Sequence, residues 1–237
     1  MKGLWTMAFV VCVGAAVCGA AGAADKTVTI VMLGDSTTLC RDSEPGKKLT
    51  DRVQAHLTHD FKLNVNVVNA GVGSDTIKGG FRRLQRDVFK HDPDLVTISF
   101  GLNDTGLLTP EEFDEFLVKT VDAIQAESKA KVLLVTSTPF VNSKHFWNSR
   151  FAEKGGLDEY MDANICAKMR VLAEKHKLAI CDLHTLFKAE FRTDPALEAK
   201  VIRSDGVHLT DEGNALAARY LAPAIAAELR AKEGAAE

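Results

Sequence analysis

Short β-branched runs alternate along the chain with longer stretches whose apolar residues recur every three or four positions. The first kind comprises VTIVML (28–33), LNVNVVN (63–69), DLVTISF (94–100), KVLLVTS (131–137) and LAICDL (178–183). Runs this short, bounded by Gly, Asn, Asp and Ser, read as strands. The second kind covers 47–59, 76–90, 110–127, 157–176 and 211–232. Leu49, Val53 and Leu57 keep helical spacing, as do Phe113, Phe116, Leu117, Thr120, Val121 and Ile124. Pro110 with Glu111 and Glu112 marks a helix start that Thr109 can cap. Strands alternating with helices predict an α/β protein, a single layered sandwich whose parallel sheet is covered on both faces. Crossovers are expected to be right-handed and five strands fit the flavodoxin-like order 2-1-3-4-5. No repeat, low-complexity tract or linker divides the chain, and the terminal KEGAAE is expected to fray.

The first two dozen residues break the pattern. MKGLWTMAFVVCVGAAVCGAAGAA joins a lysine, an apolar middle and small residues around 21–24. That is the layout of a cleaved export signal. Its apolar part is short and rich in Gly and Ala, which favours cleavage over a retained membrane anchor. Residues 1–24 are therefore expected to be a signal peptide and 25–237 one domain. The mature protein is expected to be secreted or periplasmic, with no stable membrane insertion. Val17 stands where a lipoprotein signal would place a small residue, so lipid attachment at Cys18 is disfavoured.

Composition removes some function classes. The 237 residues are 46 % hydrophobic and 26 % charged, ordinary usage for one well-cored domain. A formal net charge of −3 and the absence of a Lys/Arg run argue against nucleic acid as a partner. No G-x-G-x-x-G leads from a strand into a helix, so no dinucleotide cofactor is expected. His56 and His59 sit among polar residues of a surface helix, and no metal site is expected there. Cys166 and Cys181 are open to two readings, a disulfide or two buried thiols.

Ligands of such sheets bind at the carboxyl ends of the strands. Gly34-Asp35-Ser36 follows the first strand, NAGVGSDT (69–76) the second and GLNDTG (101–106) the third. Thr138-Pro139 follows the fourth, and SDGVHLTDEG (204–213) precedes the last helix. A serine becomes a nucleophile when a histidine takes its proton, and a carboxylate orients that histidine. Asp205 and His208, three apart around Gly206, can form such a pair for Ser36. Backbone N–H groups in the turn Gly71–Ser74 and the Asn103 amide can donate to an oxyanion. Each piece alone reads as an ordinary turn; their joint placement points to acyl transfer. Asp35 reads as a brace for the first turn and Asp182 as structural. Thr38 stands where a G-x-S-x-G elbow needs glycine, which disfavours a classical α/β-hydrolase. Asn103-Asp104-Thr105 matches a glycosylation pattern by chance, because a glycosylated asparagine could not serve an oxyanion.

LGDST, NAGVGSDT, GLND and DGVHLT resemble the four blocks of the SGNH or GDSL hydrolases, over nearly the whole span from Val28 to the final helix. The resemblance implies a three-layer α/β/α fold and hydrolysis of esters or thioesters without a cofactor or metal. It implies Ser36 as nucleophile, His208 as base and Asp205 as its orienting acid. Oxyanion donors would be the Ser36 amide, the backbone N–H of Ser74 and the Asn103 side chain. Ser74 departs from the family, which has glycine there; the N–H is retained but room beside it is reduced. Segment 139–158 should border the site, where His145, Phe146, Trp147 and Arg150 form either a sugar-stacking platform or an ordinary packed loop. Export and the lack of a long apolar lid point to removal of acetyl or other short acyl groups from carbohydrate. The alternatives are a lysophospholipase or thioesterase, and a catalytically dead carbohydrate-binding protein. Oligomeric state is not legible.

Overall fold

Residues 26–231 are described by the computed structural model; the signal peptide expected over 1–24, with Cys18, and the tail KEGAAE lie outside the described residues. Strands β1 (Val28–Gly34), β2 (Val65–Gly71), β3 (Leu95–Ser99), β4 (Lys131–Val135) and β5 (Ala179–Cys181) form one sheet. All pairings are parallel and the order is β2-β1-β3-β4-β5, as the alternation predicts. The helices are α1 (Ser36–Leu39), α2 (Leu49–His59), α3 (Ile77–Arg82), α4 (Leu84–Asp87), α5 (Leu102–Leu107) and α6 (Pro110–Glu127). They continue as α7 (Leu157–Met161), α8 (Ala167–His176), α9 (Leu183–Thr193), α10 (Leu197–Val201) and α11 (Asp211–Arg230).

The two-residue period of β1 sorts its side chains into two cores. Val31 and Leu33 pack with Val96 and Ile98 against Leu117, Val121 and Ile124 of α6 and Met169 of α8. Ile30 and Met32 pack with Leu95 against Val53 and Leu57 of α2 and Leu221 and Ile225 of α11. Each such buried aliphatic side chain contributes about 1.5–3 kcal/mol of burial free energy, which fixes the strand register. Thr109 caps α6 as expected: it accepts from Glu112 N at 3.2 Å, and Glu112 accepts from Thr109 N at 3.0 Å.

Several boundaries differ from expectation. The stretch 76–90 is not one helix but α3, α4 and a 3₁₀ turn at Phe89–His91. Gly79 and Gly80 weaken it, and Arg83 leaves helical geometry at φ −109°, ψ 13°. The stretch 157–176 is interrupted by a π turn at Asp162–Cys166. The last strand is only Ala179–Cys181, because Asp182 ends it by capping α9, a helix the strand pattern had masked. Cys166 and Cys181 are both free thiols, buried in the cores on opposite faces of the sheet. His56 bonds Asp60 at 2.6 Å on an exposed surface. Among the described residues no cluster of three or more potential metal ligands occurs, and no helix is long and apolar enough to cross a membrane.

Candidate active site

The strand-to-helix turn at the end of β1 is built around Asp35. One of its carboxylate oxygens accepts from Thr37 N and from Thr37 Oγ1, both at 2.8 Å, and so caps α1. Asp35 is buried, and burial pushes its carboxyl up to about 6. The brace expected at this position is present, and Ser36 becomes the first residue of a one-turn helix at the carboxyl edge of the sheet. The end of β2 presses on the same turn. A Cβ at Gly71 would lie 2.2 Å from Leu39 N, so only glycine permits that approach. Asn69 ties the two together, donating from Nδ2 to Thr38 O at 2.9 Å while Oδ1 accepts from Gly71 N at 3.0 Å.

The distant loop before α11 meets this turn. His208 Nε2 is 2.9 Å from Ser36 Oγ, and His208 Nδ1 is 2.7 Å from Asp205 Oδ2. The other Asp205 oxygen accepts from Val207 N at 2.9 Å and His208 N at 3.0 Å. Gly206, at φ +79°, makes the tight turn that lets both contacts form. Burial opposes the ionised form of Asp205, but these N–H donors and His208 outweigh it and hold the carboxyl below its ordinary range. The loop is anchored by Arg203 Nε donating to Leu209 O at 2.9 Å, by a bridge between Ile202 and Leu209, and by Val141 N donating to Gly206 O at 2.8 Å.

Ser74 and Asn103 reach the site from β2 and β3. Ser74 sits at φ +59°, in the left-handed region, which explains why glycine suits this position better; a residue with a Cβ pays about 1–2 kcal/mol there. Asn103 donates from Nδ2 to Asp75 O at 2.9 Å, so the turn bearing Ser74 orients the amide. Beneath, Asp104 accepts from Ile77 N at 2.8 Å and Gly101 N at 2.9 Å, and burial pushes its carboxyl up to about 7.

Arg83, which the sequence did not single out, holds this edge together. Its guanidinium donates to Gly34 O at 2.8 Å, to Ala70 O at 2.7 Å, to Asp75 Oδ2 at 2.7 Å and to Asp87 Oδ2 at 2.9 Å. It thereby fixes the carboxyl ends of β1 and β2 and the turn carrying Ser74 in one interaction set. The only sequence signal was the Arg83–Asp87 spacing of four.

Ser36, Ser74, Asn103 and His208 line one open cleft of about 680 Å³. Its wall comes from segment 139–158, which is no loose loop but folds as a 3₁₀ helix over Phe146–Lys154, capped by His145, whose Nδ1 accepts from Trp147 N at 3.2 Å. Phe146 is stacked on His145 with ring centroids 4.8 Å apart, and it is 77 % exposed. Arg150 does not line the cleft; it lies 5.7 Å over the Trp147 ring and donates to Gly106 O at 3.1 Å, bracing the wall from behind. The five residues singled out from the sequence thus come together, with Asp205 reaching the nucleophile through His208.

Residues 32–216 match the GDSL-like Lipase/Acylhydrolase family. The chain is 33 % identical over 113 residues to the uncharacterized lipoprotein YqeF of Bacillus subtilis, a stretch covering 41 % of this chain and 46 % of that protein. It is 32 % identical over 109 residues to the esterase TesA of Pseudomonas aeruginosa, covering 45 % of this chain and 53 % of that one. The match thus spans about half the length of these curated relatives. In fold, the chain is similar to an acetylxylan esterase from Geobacillus stearothermophilus, with a TM-score of 0.67 at 21 % identity over 85 % of this chain and 96 % of the other.

Proposed function

Because the chain belongs to the GDSL-like lipase/acylhydrolase family, we propose that it is an exported serine esterase that removes acetyl or other short acyl groups from carbohydrate. One contact chain carries the proposal: Asp205 to His208 at 2.7 Å, and His208 to Ser36 at 2.9 Å. His208 Nε2 takes the Ser36 proton as Oγ attacks the ester carbonyl, and Asp205 stabilises the imidazolium. His208 then gives that proton to the leaving alcohol. Water, activated by the same imidazole, releases the acid from the acyl-enzyme. The Ser36 and Ser74 amides and Asn103 Nδ2 donate to the oxyanion. Asn103 is oriented for this by its bond to Asp75 O. Ester hydrolysis needs no electron carrier, and no step here draws on a cofactor.

Carbohydrate is favoured by the exposed ring of Phe146 beside His145 and Trp147, a surface on which a pyranose can stack. The export layout of residues 1–24 fits a substrate outside the cytoplasm. A second reading, hydrolysis of longer acyl chains as by a lysophospholipase or thioesterase, draws on the apolar side of the same cleft: Leu102, Leu107, Phe140 and Val207. Rates on p-nitrophenyl acetate, p-nitrophenyl decanoate and acetylated xylan and mannan separate the two. Acetyl esters are expected to be the better substrates. A marked preference for decanoate would favour the second reading, and binding of polysaccharide without any hydrolysis would indicate a dead scaffold. On the acetyl ester, Asn103→Ala is expected to lower kcat by roughly 10²–10³ with KM little changed, because its donor acts on the oxyanion rather than on the ground state.

A further inference from the structure

A second, smaller cleft opens at the nucleophile and shares only Ser36 and His208 with the aromatic one. An ester attacked at Ser36 carries two substituents, the acyl group and the alcohol, and two clefts meeting at one hydroxyl give each its own channel. The two differ in character. One is aromatic; the other is flanked by the guanidinium groups of Arg41 and Arg203.

Arg41 follows Cys40, the C-cap of α1, and is exposed, with its Nη2 standing over the turn of β2, where a Cβ on Gly73 would meet it at 3.6 Å. No carboxylate among the described residues forms an ion pair with it. Arg203 is anchored through Nε to Leu209 O, which leaves the other edge of its guanidinium toward Asp42 at a long 3.5 Å. Asp42 is itself mostly in water, with its side chain 74 % exposed. Two cations thus border the channel against one loosely held, solvated carboxylate. The cleft's charged lining therefore carries a net positive charge in a chain whose formal net charge is −3. Guanidinium groups present paired N–H donors that match the oxygens of a carboxylate or a phosphate.

We infer that the substrate carries an anionic group, carboxylate or phosphate, close to the scissile ester, and that Arg41 and Arg203 receive it in this second cleft. The inference rests on the esterase reading and names the substrate class of the same site. Matched esters test it. The charged probe 4-acetoxybenzoate is compared with its methyl ester, which places the charge on the alcohol side. Mono-p-nitrophenyl succinate is compared with p-nitrophenyl pentanoate, which places it on the acyl side. The probe 4-acetoxyphenyl phosphate, against its dimethyl ester, distinguishes phosphate from carboxylate.

In at least one pair, the charged member is expected to have kcat/KM about tenfold above its neutral partner at low salt, the scale of one hydrogen bond to an ion. Screening at about 1 M NaCl should bring the ratio toward one. Arg41→Gln should lower the ratio, and Asp42→Asn, which removes the competing carboxylate, should raise it. The ratio is read on one preparation, so any loss of folded enzyme cancels. Hydrolysis of neutral esters with no preference for a charged partner in any pair would overturn this inference and leave the esterase reading standing. So would a preference that survives in an Arg41→Gln/Arg203→Gln double variant. Turnover of no ester above the Ser36→Ala level would overturn both.

Discussion

Ser36→Ala is expected to remain folded and to lower kcat on p-nitrophenyl acetate by on the order of 10⁴-fold or more, because it removes the nucleophile itself. The local structure makes this a clean test. The α1 helix is capped by Asp35 through Thr37, not by the Ser36 hydroxyl, whose hydrogen bond is to His208 Nε2. Losing one partly buried hydroxyl away from any cap should change stability by less than about 1 kcal/mol. The melting temperature should therefore stay close to that of the parent while turnover collapses. A residual rate above that of buffer is consistent with oxyanion donors that remain in place. A purified Ser36→Ala protein with the parent rate would refute the assignment of the nucleophile.

Arg83→Met should have the largest effect on stability, a loss of about 3 kcal/mol, at the low end of the range for breaking a buried ion pair. Arg83 is 8 % exposed and serves two carbonyls and two carboxylates. Methionine replaces most of its volume but none of its donors. The buried carbonyls of Gly34 and Ala70 lose these donors, and the Asp75 carboxylate loses its cation. The low end applies because Asp87 keeps Arg86, at 2.7 Å. Arg86, against the opposing effect of burial and with help from Arg83, holds the Asp87 carboxyl at about 2. A carboxyl depressed on folding stabilises the protein above its unfolded value near 4, and that contribution fades as pH falls toward 2. Only Arg83's share of that depression is lost in Arg83→Met, so in urea melts this part of the deficit should fade below about pH 4 while the part from the Gly34 and Ala70 carbonyls persists. An unchanged urea midpoint at pH 7 would show that the guanidinium is not holding this edge.

The strands were readable from local signals, and the meeting of Ser36 with His208 from the rule that ligands bind at the carboxyl ends of such a sheet together with the resemblance to the four family blocks. Short apolar runs ended in polar turns, and Asp205 and His208 stood close in sequence. What stayed hidden depends on side chains that reach backbone atoms far along the chain. Arg83 serves Gly34 O and Ala70 O, and a carbonyl leaves no mark in a sequence. Asn103 was legible as an oxyanion donor, but nothing nearby announced that Asp75 O would aim its amide. The π turn at Asp162–Cys166 was invisible because a single extra residue per turn hardly disturbs helical spacing. Helix α9 escaped for another reason: Asp182 both ends β5 and caps α9, leaving no loop between strand and helix. Arg41 and Arg203 are 162 residues apart in numbering (203 − 41), and only folding makes them neighbours of one cleft.

The sheet that keeps Cys166 and Cys181 in separate cores has a consequence for how the domain responds to reductant. No crosslink staples residues 26–231, and burial pushes both thiols upward, away from the reactive thiolate. With Cys40 also free, no disulfide holds the described residues together, so their stability is expected to be independent of redox conditions. Dithiothreitol should leave its thermal unfolding curve where it was.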